Sequence, residues 1–466
     1  MTPDPAQLIA AVRDKFGPRA AVTDPADVAP WLTDWRGKFH GQAAGILSPA
    51  STAEVASMVG LAAQHRVPLV PQGGNTSMVG GATPPADGSA LILSLRRMNA
   101  LRSIDAASNV AVAEAGMILA DLHDRAAEAS RRFPLTLGAR GSCTIGGLVA
   151  TNAGGTQVLK FGPMRALVAG IEAVLPDGTI HDGLTALKKD NRGYSLDHLL
   201  IGSEGTLGIV TAAALKLVPA VAGRAVAWVG LRNPHAALEL LQHLQAATDM
   251  VEGFEIVPDD ALALVLAHIP GTRPPLAGQH DWHVLIEATS ADPARPPDAK
   301  LEQLLADALA QKLIDDAVIA ASEAQADAFW RLRDSISEAE RAAGGSLAHD
   351  ISVPVADMPR FMLSAAAEVE RAFPGTVASA FGHLGDGNVH FHVRTAAVKK
   401  EPEQITALVH DLVTAAGGSI SAEHGIGQMK RAEFERLAPP GRIAALTAIK
   451  HALDPLGLMN PGKLLG

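Results

Sequence analysis

The stretch Phe381-Gly-His383-Leu-Gly-Asp-Gly-Asn388-Val-His390-Phe-His392 sets three imidazoles around a Gly-Asp-Gly-Asn turn. Beyond the turn the residues alternate, which is the period of a strand, so His390 and His392 face the same side. Either could join His383 as a metal ligand. Further on, Ser421-Ala-Glu423-His424-Gly-Ile-Gly427 adds a carboxylate and a fourth imidazole. Two His and one Glu are a common ligand set for a divalent ion that keeps positions open. His424, next to the Glu, is then available as a base.

The sequence leading to this block changes texture at about Arg224. Strand-like pieces, Ala225 to Leu231 and Trp282 to Glu287, alternate with alanine-rich helical pieces, Ala236 to Thr248 and Asp298 to Lys312. That alternation predicts an α+β domain. The spacing predicts one long helix from Ala321 to Ala343, carrying Trp330-Arg-Leu-Arg333.

The first half has a different signature. A helix is predicted from Thr52, capped by Ser51 or Thr52, and then a strand at Val67 to Val70. The strand runs into Pro71-Gln-Gly73-Gly74-Asn75-Thr76-Ser77-Met-Val-Gly80-Gly81. A second glycine-dense loop spans 138–155 and includes Gly138, Gly141, Ser142, Cys143, Thr144, Gly147, Thr151, Asn152 and Gly154. A third is Ile201-Gly-Ser203-Glu204-Gly205-Thr-Leu-Gly208-Ile209. Glycines let backbone N–H groups approach a pyrophosphate. Neither the Rossmann spacing nor the P-loop ending is present. Three such loops in one domain point to a dinucleotide, and a nucleotide site with a metal site points to a redox enzyme.

Together these blocks resemble the vanillyl-alcohol oxidase/p-cresol methylhydroxylase superfamily. The loops look like its FAD-binding domain, and the His-rich and Glu-His blocks look like its FAD-linked oxidase C-terminal domain. Within it the chain is similar to the D-2-hydroxyglutarate and D-lactate dehydrogenases and the glycolate oxidase catalytic subunit. The resemblance runs from about residue 30 to Asn460-Pro-Gly-Lys463. It implies an α+β protein with a two-subdomain FAD-binding domain of the p-cresol methylhydroxylase type and an α+β substrate cap. The expected division is a helical lead-in over 1–37, the FAD domain over 38–219, the substrate and metal domain over 220–440, and a segment 441–466 returning to the flavin.

The resemblance also implies roles. Pro71, Gly73, Gly74, Asn75, Thr76 and Gly80 would meet the diphosphate of FAD. Gly138, Ser142, Thr144, Gly147, Thr151 and Gly154 would line its middle, Glu204, Gly205 and Ile209 its adenine side, and Asn460 the flavin. Asn75 stands where relatives with covalent FAD often carry His, so noncovalent FAD is expected. His383, His390 and Glu423 become the metal ligands, with zinc expected first and manganese, iron or cobalt as alternatives. His424 becomes the base that takes the hydroxyl proton of a D-2-hydroxy acid. Arg333 would bind the substrate carboxylate, with Ser337 one turn later. Two positions depart from relatives selective for 2-hydroxyglutarate, which carry Lys at Ala348 and Asn at His392. His392 or His349 would then serve the substrate's far end. Tyr194, the only tyrosine, would lie near the flavin or pack internally.

Composition narrows the alternatives. A net charge of −10 and one tyrosine argue against nucleic-acid binding, which needs a basic face and stacking platforms. A single cysteine excludes an internal disulfide and fits a reducing compartment. The N-terminal residues lack the pattern of a secretory signal, and no apolar run is long enough to span a bilayer. A cytoplasmic enzyme is expected, with peripheral contact at the inner membrane left open. Its expected partners are a small 2-hydroxy acid and an electron carrier: electron-transfer flavoprotein, a quinone or a cytochrome. The resemblance adds a homodimer. The rival readings are a silent FAD-binding subunit of a larger oxidase, another alcohol oxidase, and an alkyl-glycerone-phosphate synthase-like flavoenzyme.

Overall fold

The computed structural model describes residues 4–394 and 401–465. Met1 to Pro3, part of the expected lead-in, lie outside the described residues. The chain forms two compact units. One comprises Met1–Gly154, Gly162–Pro219 and Glu423–Gly466; the other comprises Gly155–Phe161 and Ala220–Ala422.

In the first unit, helix Pro5–Phe16 starts on proline, and the Asp4 carboxylate accepts from the Gln7 N–H. The lead-in is more than helical: Ala21–Val22 pairs antiparallel with Ile46–Leu47. Ile46–Leu47 and Leu69–Gln72 both lie parallel to Leu91–Ser94. Parallel strands need a crossover, and helix Thr52–His65 supplies it from Ile46–Leu47 to Leu69–Gln72, on the far side of Leu91–Ser94. Ser51 is the cap: its Oγ accepts the Glu54 N–H at 3.2 Å, and Glu54 accepts the Ala50 N–H at 2.8 Å. Leu8, Val12, Leu47, Val55, Val59, Leu91 and Leu93 form the core beneath.

A second, antiparallel sheet follows. Its order is Leu101–Asp105, Val110–Glu114, Ile209–Lys216, Val168–Val174, Ile180–Asp182. The last two form a hairpin turned by Asp177-Gly178, where Gly178 has φ +86°. The 138–155 stretch is not all loop. Ile145–Thr151 is a helix ended by Asn152 in the left-handed region. Ile145, Leu148 and Val149 are its buried face, and the paired glycines 146 and 147 hide that period in the sequence. Gly146 is required by close packing, since a Cβ there would lie 2.6 Å from the Ala115 Cβ.

The second unit is a seven-stranded antiparallel sheet. Its order is Asp316–Ile319, Gly223–Leu231, Trp282–Ser290, Val251–Pro258, Val377–His383, Asn388–Arg394, Leu347–Ser352. One face, with Val229, Phe254, Ile286 and Phe391, is covered by helices Pro234–Ala247, Pro297–Ala310, Met358–Ala372 and Pro402–Ala415. The other, with Trp228, Val257, Leu285 and Phe381, is covered by Asp259–His268, Glu323–Asp334 and Ile336–Ala342. The last two replace the single long helix expected over 321–343. The break is at Ser335, whose N–H is shared by the Arg331 and Arg333 carbonyls. Phe329, Leu332, Ile336 and Ala339 keep helical spacing across the break, so the sequence reads as continuous.

Trp228 is fully buried against Phe329 and His283, with ring centroids 6.0 Å away in each case. Trp228→Ala should lower the unfolding free energy by about 3–5 kcal/mol in denaturant titration. Leu187→Ala, at an exposed side chain, should change it by less than about 0.5 kcal/mol.

Candidate active site

The three glycine-rich loops converge within the first unit. A Cβ on Gly73 would lie 2.1 Å from Thr144 Oγ1, and one on Gly74 would lie 1.8 Å from the Ser142 carbonyl oxygen. These glycines therefore let the first loop seat on the second, a role distinct from approach to a phosphate. Gly205, at φ +71°, packs on Pro71 and joins the third loop to the first. Asn75 is in the left-handed region and donates through Nδ2 to the Thr33 carbonyl at 2.9 Å. Asn460 closes the set, donating to the Gly81 and Glu204 carbonyls at 3.0 and 2.6 Å.

Polar atoms remain available at this convergence. Thr144 Oγ1 and Asn460 Oδ1 are buried with no hydrogen-bond partner among the described residues. Orphaned acceptors beside packed backbone turns fit a polar cofactor that completes them. Other expected contacts are placed differently. Ile209 is in the core and the Thr151 hydroxyl bonds back to the Gly147 carbonyl at 3.0 Å. Gly80 packs on Phe39, Gly147 lies near Thr144 Oγ1, and Gly138 has open space at its Cβ position. Thr76 and Gly154 are half-buried, and Ser142 is exposed. Tyr194 is fully exposed and packs on nothing.

The Glu204 carboxylate is already engaged. Its two oxygens accept the Ile426 and Gly427 N–H groups, both at 2.8 Å. Burial raises its pKa, against the pull of those two bonds and of Lys430. This carboxylate clamps the turn that follows Glu423-His424.

In the second unit, strand pairing sets the imidazoles out. His390 stands opposite Phe381 and Asp350, and His383 opposite Asn388 and Glu255. Opposed residues share a face, so these side chains point the same way. The His383 and His390 rings meet edge-on at 5.4 Å, with ligating nitrogens within 4.8 Å of one another. Glu255 Oε1 accepts from His383 Nδ1 at 2.6 Å, and its Oε2 accepts from Arg333 Nε at 2.8 Å. Burial pushes Glu255 up, but His383 and then Arg333 outweigh it and hold the carboxylate below its usual range. His390 is held well below the usual imidazole range by burial, then by the Arg333 and His383 charges. Both influences favour the neutral ring, the form that a metal needs.

Arg333 Nη2 is buried without a partner among the described residues, while its Cζ sits 5.5 Å from the Phe381 ring centre. Ala422 donates to the Asp350 carbonyl at 3.4 Å, so the chain leaves this unit beside the strand neighbour of His390. Glu423 and His424 are the next two residues.

The remaining predicted residues are not all drawn into this cluster. His392 shares the face but gives its Nδ1 to a short hydrogen bond with buried Glu340. Ala348 is its direct strand partner. His349 is on the opposite face, bonded to the Phe391 carbonyl at 3.1 Å and Thr406 Oγ1 at 3.2 Å. Ser337 is exposed, whereas the Arg333 side chain is largely buried. The sequence reading missed Glu255, Glu340 and Asp350. The signal for Glu255 was an acid inside the otherwise strand-like run Val251-Glu-Gly-Phe-Glu255-Ile-Val-Pro258.

Loops shaped for a dinucleotide and a His-carboxylate cluster on a large antiparallel sheet define a flavoprotein of the p-cresol methylhydroxylase fold. The fold matches that of p-cresol methylhydroxylase with a TM-score of 0.70, covering 98% of this chain and 96% of that one. Identity there is 15%, so the likeness is one of fold. Residues 43–183 match the FAD binding domain, and residues 222–464 match the C-terminal domain of the FAD linked oxidases. The chain belongs to the FAD-linked oxidase family. It is 36% identical over 457 residues to the mitochondrial D-2-hydroxyglutarate dehydrogenase of Arabidopsis thaliana, covering 97% of this chain and 80% of that one. It is 37% identical over 448 residues to the D-2-hydroxyglutarate dehydrogenase of Xanthomonas citri pv. viticola, covering 95% and 93%. Among the described residues no helix is long and apolar enough to cross a membrane.

Cys143 lies between the first two loops' contact residues, and burial pushes its thiol up to about 11. Iodoacetamide at pH 8 should therefore alkylate the native protein on the order of a hundredfold more slowly than the unfolded chain. Mass spectrometry of the time course checks this.

Proposed function

We propose that this chain is an FAD-dependent dehydrogenase that oxidises a D-2-hydroxy acid to the 2-oxo acid, with D-2-hydroxyglutarate as the first substrate to test. The observation that carries the reading is Arg333. Its Nε is spent on Glu255, and its Nη2 is buried and unpartnered on the face that holds His383 and His390. A guanidinium edge so placed suits a carboxylate. The named relatives support the hydroxy-acid class.

Arg333 holds the C1 carboxylate. His383, His390 and Glu423 would hold a divalent ion, zinc first, whose chemistry is Lewis-acid polarisation of the C2 hydroxyl. His424 accepts the hydroxyl proton. The loops of the first unit would hold FAD, whose chemistry is that of a two-electron hydride acceptor, so that the C2 alcohol would become the 2-oxo acid. The flavin is held without a covalent bond, with Asn75 in the first loop and Cys143 buried. A carrier, rather than oxygen, then removes the electrons.

Ala348 and His392 face one another across a strand pair, so the two departures from 2-hydroxyglutarate-selective relatives fall at one place. A substrate's second carboxylate would meet imidazole there in place of lysine and asparagine. This makes D-lactate and other short D-2-hydroxy acids the comparison substrates.

The test is anaerobic bleaching of the flavin absorbance by a panel of D- and L-2-hydroxy acids. D-2-hydroxyglutarate, or a shorter D-acid, should bleach it while L-isomers do not. No bleaching by any acid, with metal present, would point to the silent-subunit reading or to another alcohol. Acid precipitation of the same preparation should leave the yellow colour in the supernatant. His424→Ala should keep FAD and metal but lose about 10²–10⁴ in turnover, measured with an artificial electron acceptor. Turnover like that of the wild type would remove the base assignment.

A further inference from the structure

Glu255 has no exposed surface, yet it carries two of the cluster's functional groups. Its strand position opposite His383 aims the carboxylate along the sheet face, and Arg333 approaches from helix Glu323–Asp334. Each oxygen is committed to a different partner, at 2.6 Å to His383 Nδ1 and 2.8 Å to Arg333 Nε. A guanidinium N–H can only donate, so Oε2 must accept. The imidazole nitrogen can do either, but an ionised carboxylate offers no proton, so His383 Nδ1 must carry one. In the neutral imidazole, the form that binds a metal, the lone pair is then on His383 Nε2.

We propose that Glu255 is a positioning residue with two outputs: it fixes the metal-binding tautomer of His383 and, through the same carboxylate, the orientation of Arg333. The proposal rests on the reading of His383 as a metal ligand and Arg333 as the substrate cation. It names a single buried side chain that registers the two against each other. Among the described residues no other side-chain hydrogen bond orients Arg333, and its Nη2 is left for a ligand.

Glu255→Gln separates this role from mere filling of space. The amide has one acceptor oxygen, which Arg333 claims because it cannot do otherwise. The NH₂ group then faces His383 Nδ1, which must accept, and the proton moves to Nε2. A nitrogen that bears a proton does not coordinate a metal. Losing a carboxylate behind a ligating histidine typically weakens metal binding about 10–100-fold.

The experiment uses the full-length FAD-loaded protein labelled with ¹⁵N-histidine, stripped of metal, at pH 8. His383→Gln assigns the His383 resonances. The wild type should show a protonated Nδ1 and an unprotonated Nε2 at His383, and Glu255→Gln should show the reverse. Zinc titration against a chelator should show the 10–100-fold loss in Glu255→Gln, with FAD content unchanged. The same tautomer in both proteins, or zinc affinities within about twofold, would overturn the proposal. If Glu255→Gln does not fold, the wild-type spectrum alone decides, since a proton on Nε2 there also overturns it. If neither zinc nor another divalent ion binds the wild type, the metal reading fails by itself, and the tautomer comparison still tests Glu255.

Discussion

A carboxylate buried on the face of a sheet must be answered by a charge or a hydrogen-bond donor, and the second unit is built around that requirement. Glu255 is answered by Arg333 and His383, and Glu340 by His392. Glu287 accepts from Arg224 Nε and from Trp330 Nε1, both at 2.8 Å. Glu252, with no exposed surface, is met by Lys160 at 3.1 Å and by the Thr289 hydroxyl. Removing one partner of such a buried pair generally costs about 3–5 kcal/mol, because the other charge is stranded. These pairings tie helices, strands and the 155–161 segment into one arrangement.

The same requirement explains what a ligand could add. Among the described residues, Arg333 Nη2 is a buried donor of the cluster without a partner, and Glu340 Oε1 and Asn388 Oδ1 are buried acceptors without one. In the first unit such orphans include Thr144 Oγ1 and Asn460 Oδ1. Each marks a place where protein structure alone leaves a polar atom incomplete. Around them the backbone is fixed by loop-on-loop contact at Gly73, Gly74 and Gly205.

The parts legible in the sequence were those with a strong local period or a dense motif. The alternation of His390 and His392, the crossover helix from Thr52 and the glycine-rich loops all carry their geometry in a few adjacent residues. Helix Ile145–Thr151 was hidden because Gly146 and Gly147 dilute its apolar face, although contact with Ala115 is what demands Gly146. The break at Ser335 was hidden for the opposite reason, since the apolar spacing continues through it. Glu255 lies far from His383 in sequence, so only strand register reveals the pairing. His349 shows the limit of a motif read without a sheet. One residue's shift along a strand turns a side chain to the opposite face.

The first unit is discontinuous, and that bears on its synthesis. Leu69 bridges Met459, and Asn460 binds the carbonyls of Gly81 and Glu204. The ribosome makes the N-terminal loops early and the residues that close them only after the second unit. The intervening stretch of roughly 240 residues takes on the order of 10–50 s to translate at ordinary rates. During that interval the nascent first unit lacks its closing segment, and the apolar edge at Leu69 lacks its cover of Leu458 and Met459. The second unit, apart from its 155–161 segment, is contiguous and can mature within that interval. The Leu458–Asn460 segment therefore acts as a clasp on the nucleotide-binding half, and it is made only after the second unit.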